Sequence, residues 1–277
     1  MDLKYEKYIV AHIDILGCKN ILHDKESSEA LLNKLKKIYS DAPKAINELN
    51  ESVRKEFDKI KDGFECSDFN IETKIFSDNI CIYLKYPNSK EKYFIYVAWF
   101  LQIIAYYQYY SILEYELLLR GAINIGNFYG DDKFVIGPAL SVSYEKESNE
   151  AIAPRILICE DLKEDFLVKE KREDLPFSRK DFDKNLFIDY LIYTQQRDKN
   201  QKELLFKHRD ILIENFKKTK EYKNKVKILL AMNYHNRYCN SVNEWDTANR
   251  TGVRLARLSK LEECSIDITK FLAECSF

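Results

Sequence analysis

Short apolar runs along the chain alternate with longer segments in which apolar residues recur at helical spacing. The apolar runs predict strands at 8–13, 71–74, 79–84, 117–126 and 155–159. Apolar residues three or four positions apart predict helices within 26–62, over 90–114 and over 137–151. Pro43 divides the first of these segments into two helices. Because strands and helices follow one another with one hairpin among them, the pattern predicts an α/β fold, a sandwich of sheet and helices.

The C-terminal part of the chain has a different pattern. Residues 160–184 are charged and resemble a linker, and a brief apolar run, Leu186 to Tyr193, follows them. Helical spacing dominates 199–277. We therefore predict a first domain over 1–160 and a mostly helical extension over 161–277 that packs on it.

Charge and cysteine usage narrow the classes of partner and compartment. The 277 residues carry 44 basic and 45 acidic side chains, a net charge of -1, which argues against nucleic acid and anionic membranes as partners. The basic stretch from Lys217 to Lys227 is interpreted as a solvated helix face. The 7 cysteines are scattered without a C-x-x-C pair, and the sequence shows neither a signal peptide nor a long apolar run. These features predict a cytoplasmic protein.

Two aspartates occupy positions that suit metal chemistry. Asp14 follows the apolar run 8–13, and Asp78 lies in the turn between 71–74 and 79–84. Carboxylates at adjacent strand ends can share two divalent cations. Taken singly, Asp14 also fits a turn or helix cap, and Asp78 a hairpin turn. Cys18 is close to Asp14 in sequence, but a thiol nucleophile needs a base beside it, so we do not favour that role.

Three blocks follow one another along the chain. The first is His12-Ile13-Asp14-Ile15-Leu16-Gly17, and the second is Lys74-Ile75-Phe76-Ser77-Asp78. The third is Arg120-Gly121-Ala122-Ile123-Asn124-Ile125-Gly126, followed by Val135-Ile136-Gly137. In this order they resemble the catalytic domain of class III adenylate and guanylate cyclases, where the first block is similar to the first metal-binding turn and the second to the hairpin that carries the second metal ligand. The resemblance implies a ferredoxin-type sheet with helices.

The resemblance also implies a reaction and its participants. The substrate is a nucleoside triphosphate, cyclised with two Mg²⁺ or Mn²⁺ ions on Asp14 and Asp78. Ile15 and Lys19, in and after the first turn, are candidates for contacting the substrate, because backbone N–H groups and a cation there can meet phosphates. Class III sites usually form between two domains, which implies a homodimer. The aromatic segment 90–114 is a candidate for part of its interface.

The chain departs from the family at several functional positions. Ser141 and Glu145 stand where the family has a ribose-orienting Asn and a transition-state Arg, so Ser141, with Arg120 or Arg155 as substitute cations, forms the catalytic candidate set. Lys74 matches a base-reading position of adenine-selective relatives, whereas Phe134 replaces their Asp. A base pocket with these two residues resembles, more loosely, that of the pyrimidine cyclases of bacterial anti-phage (Pycsar-type) defence.

Three functions therefore stay open. The first is a divergent nucleotidyl cyclase, and the second is a non-catalytic protein of cyclase fold that binds nucleotide or acts as a scaffold. The third is another two-metal phosphotransfer enzyme, such as a nuclease, although the neutral charge argues against a nucleic-acid substrate. Asp14 and Asp78 favour the first function, whereas Ser141 and Glu145 favour the second.

Overall fold

The structure of the protein is a computed structural model. It describes residues 4–18, 28–37, 48, 51, 69–171, 174–195, 200–245 and 261–272. Within 26–62, residues 28–37 are helical as predicted, and most of the second predicted helix lies outside the described residues.

Eight strands and six named helices make up the described chain. The strands are β1 (Glu6–Ile15), β2 (Ile71–Phe76), β3 (Asn79–Lys85), β4 (Leu119–Gly130), β5 (Val135–Ile136), β6 (Ile156–Ile158), β7 (Ser178–Lys180) and β8 (Leu186–Ile188). The helices are α1 (Lys90–Tyr115), α2 (Pro138–Glu150), α3 (Glu160–Glu170), α4 (Gln201–Lys218), α5 (Tyr222–Trp245) and α6 (Thr269–Leu272), with 3₁₀ turns at Tyr190–Gln195 and Glu262–Cys264.

One mixed sheet runs through the described chain in the order β2-β3-β1-β4-β6-β8-β7, and β5 pairs with β4. The first four strands pair antiparallel, and β6 runs parallel to β4. The order β2-β3-β1-β4, with helix between β1 and β2 and again between β3 and β4, is the ferredoxin-type arrangement. The predicted α/β fold class is confirmed.

The two faces of the sheet pack differently. On one face, the alternate residues Ile9, Ala11 and Ile13 of β1 meet α1, whose side chains are apolar nearly all round. On the other face, Val10 joins Tyr83, Phe128 and Ala139 in a much smaller cluster under α2. The α1 face therefore supplies most of the core, and the α2 face is left with space for polar side chains.

Gly137 allows the close packing of α2 on β4. Its φ is +152°, and an added Cβ would lie 2.6 Å from the carbonyl oxygen of Asn127 and 2.6 Å from the Cα of Phe128. Pro138 then begins the helix, where its fixed φ is favourable and no N–H is needed. The predicted helix start is thus explained by a backbone contact.

The C-terminal extension continues the same sheet. The segment 160–184, predicted as a linker, instead forms α3 and β7, because Leu162 and Phe166 are buried on one face of α3 while Glu160, Asp161 and Glu164 are exposed. The brief apolar run forms β8, which pairs antiparallel with β6, and the 3₁₀ turn after it. The helical prediction holds for α4 and α5, and residues 246–260 lie outside the described residues.

The extension also covers α1. Tyr193 donates a hydrogen bond to the carbonyl oxygen of Gln102 at 3.0 Å, and its ring packs on those of Tyr106 and Tyr109. Phe166 of α3 packs on Phe94. Contacts within the chain therefore bury much of the aromatic surface of α1, which the sequence suggested as part of a homodimer interface. Among the described residues, no helix is both long and apolar enough to cross a membrane.

Candidate functional site

Asp14 and Asp78 lie at adjoining ends of two neighbouring strands. Asp14 is the last residue but one of β1 and is in register with Asn79, the first residue of β3. Asp78 precedes Asn79 in the tight turn from β2, where Ser77 has a φ of 58°. The negative charge of Asp78 helps to raise the pKa of Asp14, so the two carboxylates share one electrostatic environment.

Arg120 joins Asp14 to helix α2. Its Nε donates a hydrogen bond to Oδ2 of Asp14 at 2.8 Å and lies 2.9 Å from Oε1 of Glu147. The β4 register places Arg120 directly opposite Asp14 on β1, on the face that α2 covers. Burial raises the pKa of Asp14, and the Arg120 hydrogen bond opposes that shift.

Glu147 is a functional candidate that the sequence interpretation missed. It is 2% exposed, and its Oε1 accepts no hydrogen bond from the described residues. Burial raises its pKa, and the positive charge of Arg120 acts in the opposite direction. The signal was present in the sequence: Ala139, Ser143 and Glu147 are spaced four apart, which puts them on the inner face of α2.

Lys227 of α5 brings the extension into the same cluster. Its positive charge acts on both Asp14 and Glu147, and it is half-buried. Burial lowers the pKa of Lys227, and repulsion from Arg120 lowers it further. The sequence placed Lys227 in a solvated basic stretch, because nothing local indicates which long-range partners a helix meets.

Cys18 and His12 flank the cluster in buried positions. Burial, with the charges of Asp78 and Asp14, raises the pKa of Cys18 to about 11, so the thiol stays protonated at neutral pH. Burial lowers the pKa of His12 to about 4, with Arg120 contributing. The His12 ring packs edge-on against Tyr144 of α2. The Cys18 thiol is therefore not poised as a nucleophile.

The donor chemistry of the cluster suits a hard cation only in part. Carboxylate oxygens are the ligands that Mg²⁺ and Mn²⁺ prefer. Asp14 accepts from Arg120 with one oxygen, and Asp78 accepts from the Asn79 amide at 3.3 Å and from the Cys18 thiol. Within the described residues, no group of three or more His, Cys, Asp or Glu side chains is arranged to hold a metal ion. A metal here needs further oxygens, such as those of a phosphate.

The structure places Arg155 away from Asp14. Its guanidinium binds Asp181, at 2.6 Å, and Asp183, both in the turn between β7 and β8, and also donates to the carbonyl oxygen of Glu150. Arg155 is 4% exposed. Its contacts therefore anchor the extension to the end of β6, and the suggestion that it points into a catalytic cleft finds no support in them.

The two family departures on α2 lie on its outer side. Ser141 is exposed, and its hydroxyl donates to the carbonyl oxygen of Gly137 at 3.4 Å. Glu145 is exposed as well and lines a shallow acidic pocket with Glu150 and Asp161. They lie on a different face of the helix from Glu147, which meets Arg120.

The proposed substrate-contacting residues are spread over several elements. Lys74 is half-buried in β2, and Phe134 is 43% exposed in the turn before β5, with its ring centroid 5.5 Å from that of Tyr129. Phe134 is therefore not a core residue. The side chain of Ile15 is buried in the main core, and Lys19 lies outside the described residues.

Comparisons with known proteins add one structural likeness. No family model matches the chain, and no curated protein matches it. Among solved structures, the chain is similar to the monomeric guanylyl cyclase domain of the RhoGC fusion protein from the aquatic fungus Blastocladiella emersonii. The likeness covers 67% of this chain and 95% of that one, with a TM-score of 0.43 and 11% sequence identity.

Proposed function

We propose that the protein is a nucleotidyl cyclase that converts a nucleoside triphosphate to a 3′,5′-cyclic nucleotide and pyrophosphate. One observation carries the proposal: Asp14 and Asp78 lie at adjoining ends of β1 and β3 in a ferredoxin-type sheet. Their order along the chain, together with the Arg120 strand and the helix that Gly137 opens, is that of the class III motifs. Fold alone does not imply function, so the proposal depends on these side chains.

In the proposed reaction, the ribose 3′-oxygen attacks the α-phosphorus. The bond from that phosphorus to the oxygen bridging to the β-phosphate breaks, pyrophosphate leaves, and the 3′-hydroxyl proton passes to solvent. Asp14 and Asp78 are the residues that would hold Mg²⁺ or Mn²⁺, which when bound stabilises charge on the attacking and leaving oxygens. Arg120 orients Asp14 and, through its hydrogen bond, favours the ionised carboxylate.

The base pocket is proposed to favour a pyrimidine over adenine. Lys74 offers only hydrogen-bond donors, and Phe134 cannot accept a hydrogen bond from the adenine amino group. A site without that acceptor loses discrimination in favour of adenine. The exposed ring of Phe134 is available to stack on a base. The anti-phage signalling role is proposed on the motif resemblance alone.

A homodimer is part of the same proposal, because the chain has a single cyclase-like domain. Large apolar side chains are exposed around β5 and on the outer side of α2, namely Phe134, Ile136, Val142 and Tyr144. Such a patch is typical of an interaction surface. Light scattering at high protein and nucleotide concentration tests this part, and a monomer under those conditions contradicts it.

A second candidate is a non-catalytic protein that binds nucleotide. Its support is the exposed Glu145 at the family's Arg position and the commitment of Arg155 to Asp181 and Asp183. A Glu cannot stabilise negative charge that develops on phosphate. Under this alternative, Asp14 and Asp78 bind the nucleotide without turnover.

The test is incubation of the full chain with ATP, GTP, CTP or UTP and Mn²⁺, followed by product chromatography. We expect cyclic product from at least one triphosphate, and a loss of about a thousandfold in Asp14→Asn and Asp78→Asn. Glu164→Gln, an exposed carboxylate of α3, is the matched control and should keep full activity.

The outcomes separate the candidates. Binding of a nucleoside triphosphate without conversion supports the non-catalytic alternative. If the chain neither binds nor converts any triphosphate, both proposed functions are wrong. Almost exclusive formation of cyclic AMP by the wild type contradicts the pocket argument. If that argument holds, Phe134→Asp should increase the share of cyclic AMP, because it restores an acceptor for the adenine amino group.

A further inference from the structure

We propose that Lys227, contributed by the C-terminal extension, binds the triphosphate chain of the substrate at the Asp14–Asp78 site. The inference rests on the proposed cyclase function and names a phosphate-binding group for it. The sequence suggested that the basic end of α5 is a solvated surface. The inference makes this end of α5 part of the site.

The packing of α5 brings Lys227 to this position. Asn224 and Ile228 of α5 line the same cavity as Leu16 and Gly17, the residues of the turn that follows Asp14. Lys227 precedes Ile228, which is 2% exposed and anchors this part of the helix. The first turns of α5 therefore lie beside the turn that carries the first aspartate.

Lys227 is the cation of the cluster that has no close ion-pair partner among the described residues. Arg120 is bound to Asp14 and lies against Glu147, whereas Lys227 makes no ion pair within the described part of the chain. Its half-buried ammonium loses hydration and is repelled by Arg120 and Lys223. Asp14 and Glu147 attract the ammonium, and a bound polyanion would add further negative charge close to it.

The chemistry of the proposed substrate requires such a group. Helix α2 presents Glu145 where the family has a cation, and the guanidinium of Arg155 is held by Asp181 and Asp183. A lysine is a compact, flexible charge that suits phosphate.

The experiment measures binding of Mn²⁺-tripolyphosphate to the full chain by isothermal titration calorimetry. Tripolyphosphate reports on the phosphate site without any contribution from the base. The variants are Lys227→Met, Lys227→Gln and Lys227→Arg, and the control is Lys223→Met, an exposed lysine one turn earlier on α5. Thermal unfolding of each variant is recorded, and the Gln variant replaces the Met variant if the latter is unfolded.

We expect Lys227→Met or Lys227→Gln to weaken binding about ten- to a hundredfold, the range for a lost hydrogen bond to a charged group. Lys227→Arg should restore affinity to within about fivefold, and Lys223→Met should change it less than about threefold. Wild-type affinity in the Lys227 variants overturns the inference, and so does an equal loss in Lys223→Met.

The failure of this inference is distinguishable from failure of the proposed function. If the wild type binds and cyclises a triphosphate while Lys227→Met matches it in both, only the role of Lys227 is wrong. If the wild type neither binds tripolyphosphate nor cyclises any nucleotide, the proposed function is wrong and the inference falls with it.

Discussion

Two buried ion pairs in this molecule differ in how completely their charges are satisfied. In the extension, Asp189 is fully buried, accepts from Arg179 at 3.0 Å with one oxygen, and accepts from the Tyr234 hydroxyl at 2.5 Å with the other. At the end of β4, Arg120 is 22% exposed and Oε1 of Glu147 accepts no hydrogen bond. A satisfied network specifies structure, whereas an incomplete one indicates a place for a ligand.

The largest expected effect comes from breaking the satisfied pair. Asp189→Ala should lower the free energy of unfolding by about 3–5 kcal/mol, because Arg179 is left buried without its carboxylate. Urea denaturation followed by circular dichroism measures the change. Asp267→Asn, an exposed carboxylate, is the control and should stay within about 0.5 kcal/mol. A loss below about 1 kcal/mol for Asp189→Ala would mean that the two pairs do not differ as described.

The second prediction uses pH to probe the histidines of the extension. Nδ1 of His235 lies 2.9 Å from Nδ1 of buried His208, and Nε2 of His235 lies 2.9 Å from the Cys264 carbonyl oxygen. Burial lowers the pKa of His235 from 6.5 to about 4. The unfolded chain therefore takes up the proton first, so this stability is complete above pH 6.5 and is lost as pH falls toward 4.

The expected size of the effect follows from the same linkage. Between pH 7 and pH 5, His235 should account for about 2 kcal/mol of lost stability, and His235→Asn should flatten the pH dependence by that amount. Urea unfolding at both pH values measures it. Equal slopes for wild type and variant would show that His235 is not held neutral by the fold.

The smallest expected effect comes from the incomplete cluster. Burial raises the pKa of Glu147, so its contribution to stability is complete below the usual value of 4.5 and is lost as pH rises above that value. Glu147→Gln should therefore raise the free energy of unfolding slightly at pH 7 and leave it unchanged at pH 4. Urea unfolding compares it with Glu145→Gln, on the exposed side of α2, which should be neutral. If Glu147→Gln instead lowers the free energy of unfolding by more than about 2 kcal/mol, the Arg120–Glu147 contact is a stabilising ion pair like that between Asp189 and Arg179.

Much of the fold could be predicted because its signals are local. The continuous burial of residues 9–13 in β1 and the apolar residues nearly all round α1 follow directly from the apolar run and the helical spacing in the sequence. The segment 160–184 was misinterpreted because only Leu162 and Phe166 mark the inner face of α3. The strands β7 and β8 have three residues each, too few for a period-2 pattern to be recognised.

The residues of the candidate site likewise divide into those with a local signal in the sequence and those that depend on long-range packing. Asp14 and Asp78 could be proposed from the motifs, since each follows or precedes a short apolar strand. The spacing of Glu147 could place it on the inner face of α2, but the meeting of Glu147 and Lys227 with Arg120 depends on how α2 and α5 pack on the sheet. Arg155 was suggested for the site from its strand position alone, and its actual partners come from a turn 26 and 28 residues later.

The pairing of β8 with β6 bears on how the molecule resists aggregation. Strand β6 is Ile-Leu-Ile, and an open edge of that composition is a template for strands of other chains. The extension covers this edge with β8 and moves the border of the sheet to β7, which is short and carries Arg179 and Lys180. A chain that stopped near residue 160 would expose both the β6 edge and part of the aromatic surface of α1. The extension thus covers an apolar strand edge that the ferredoxin-type half would otherwise expose.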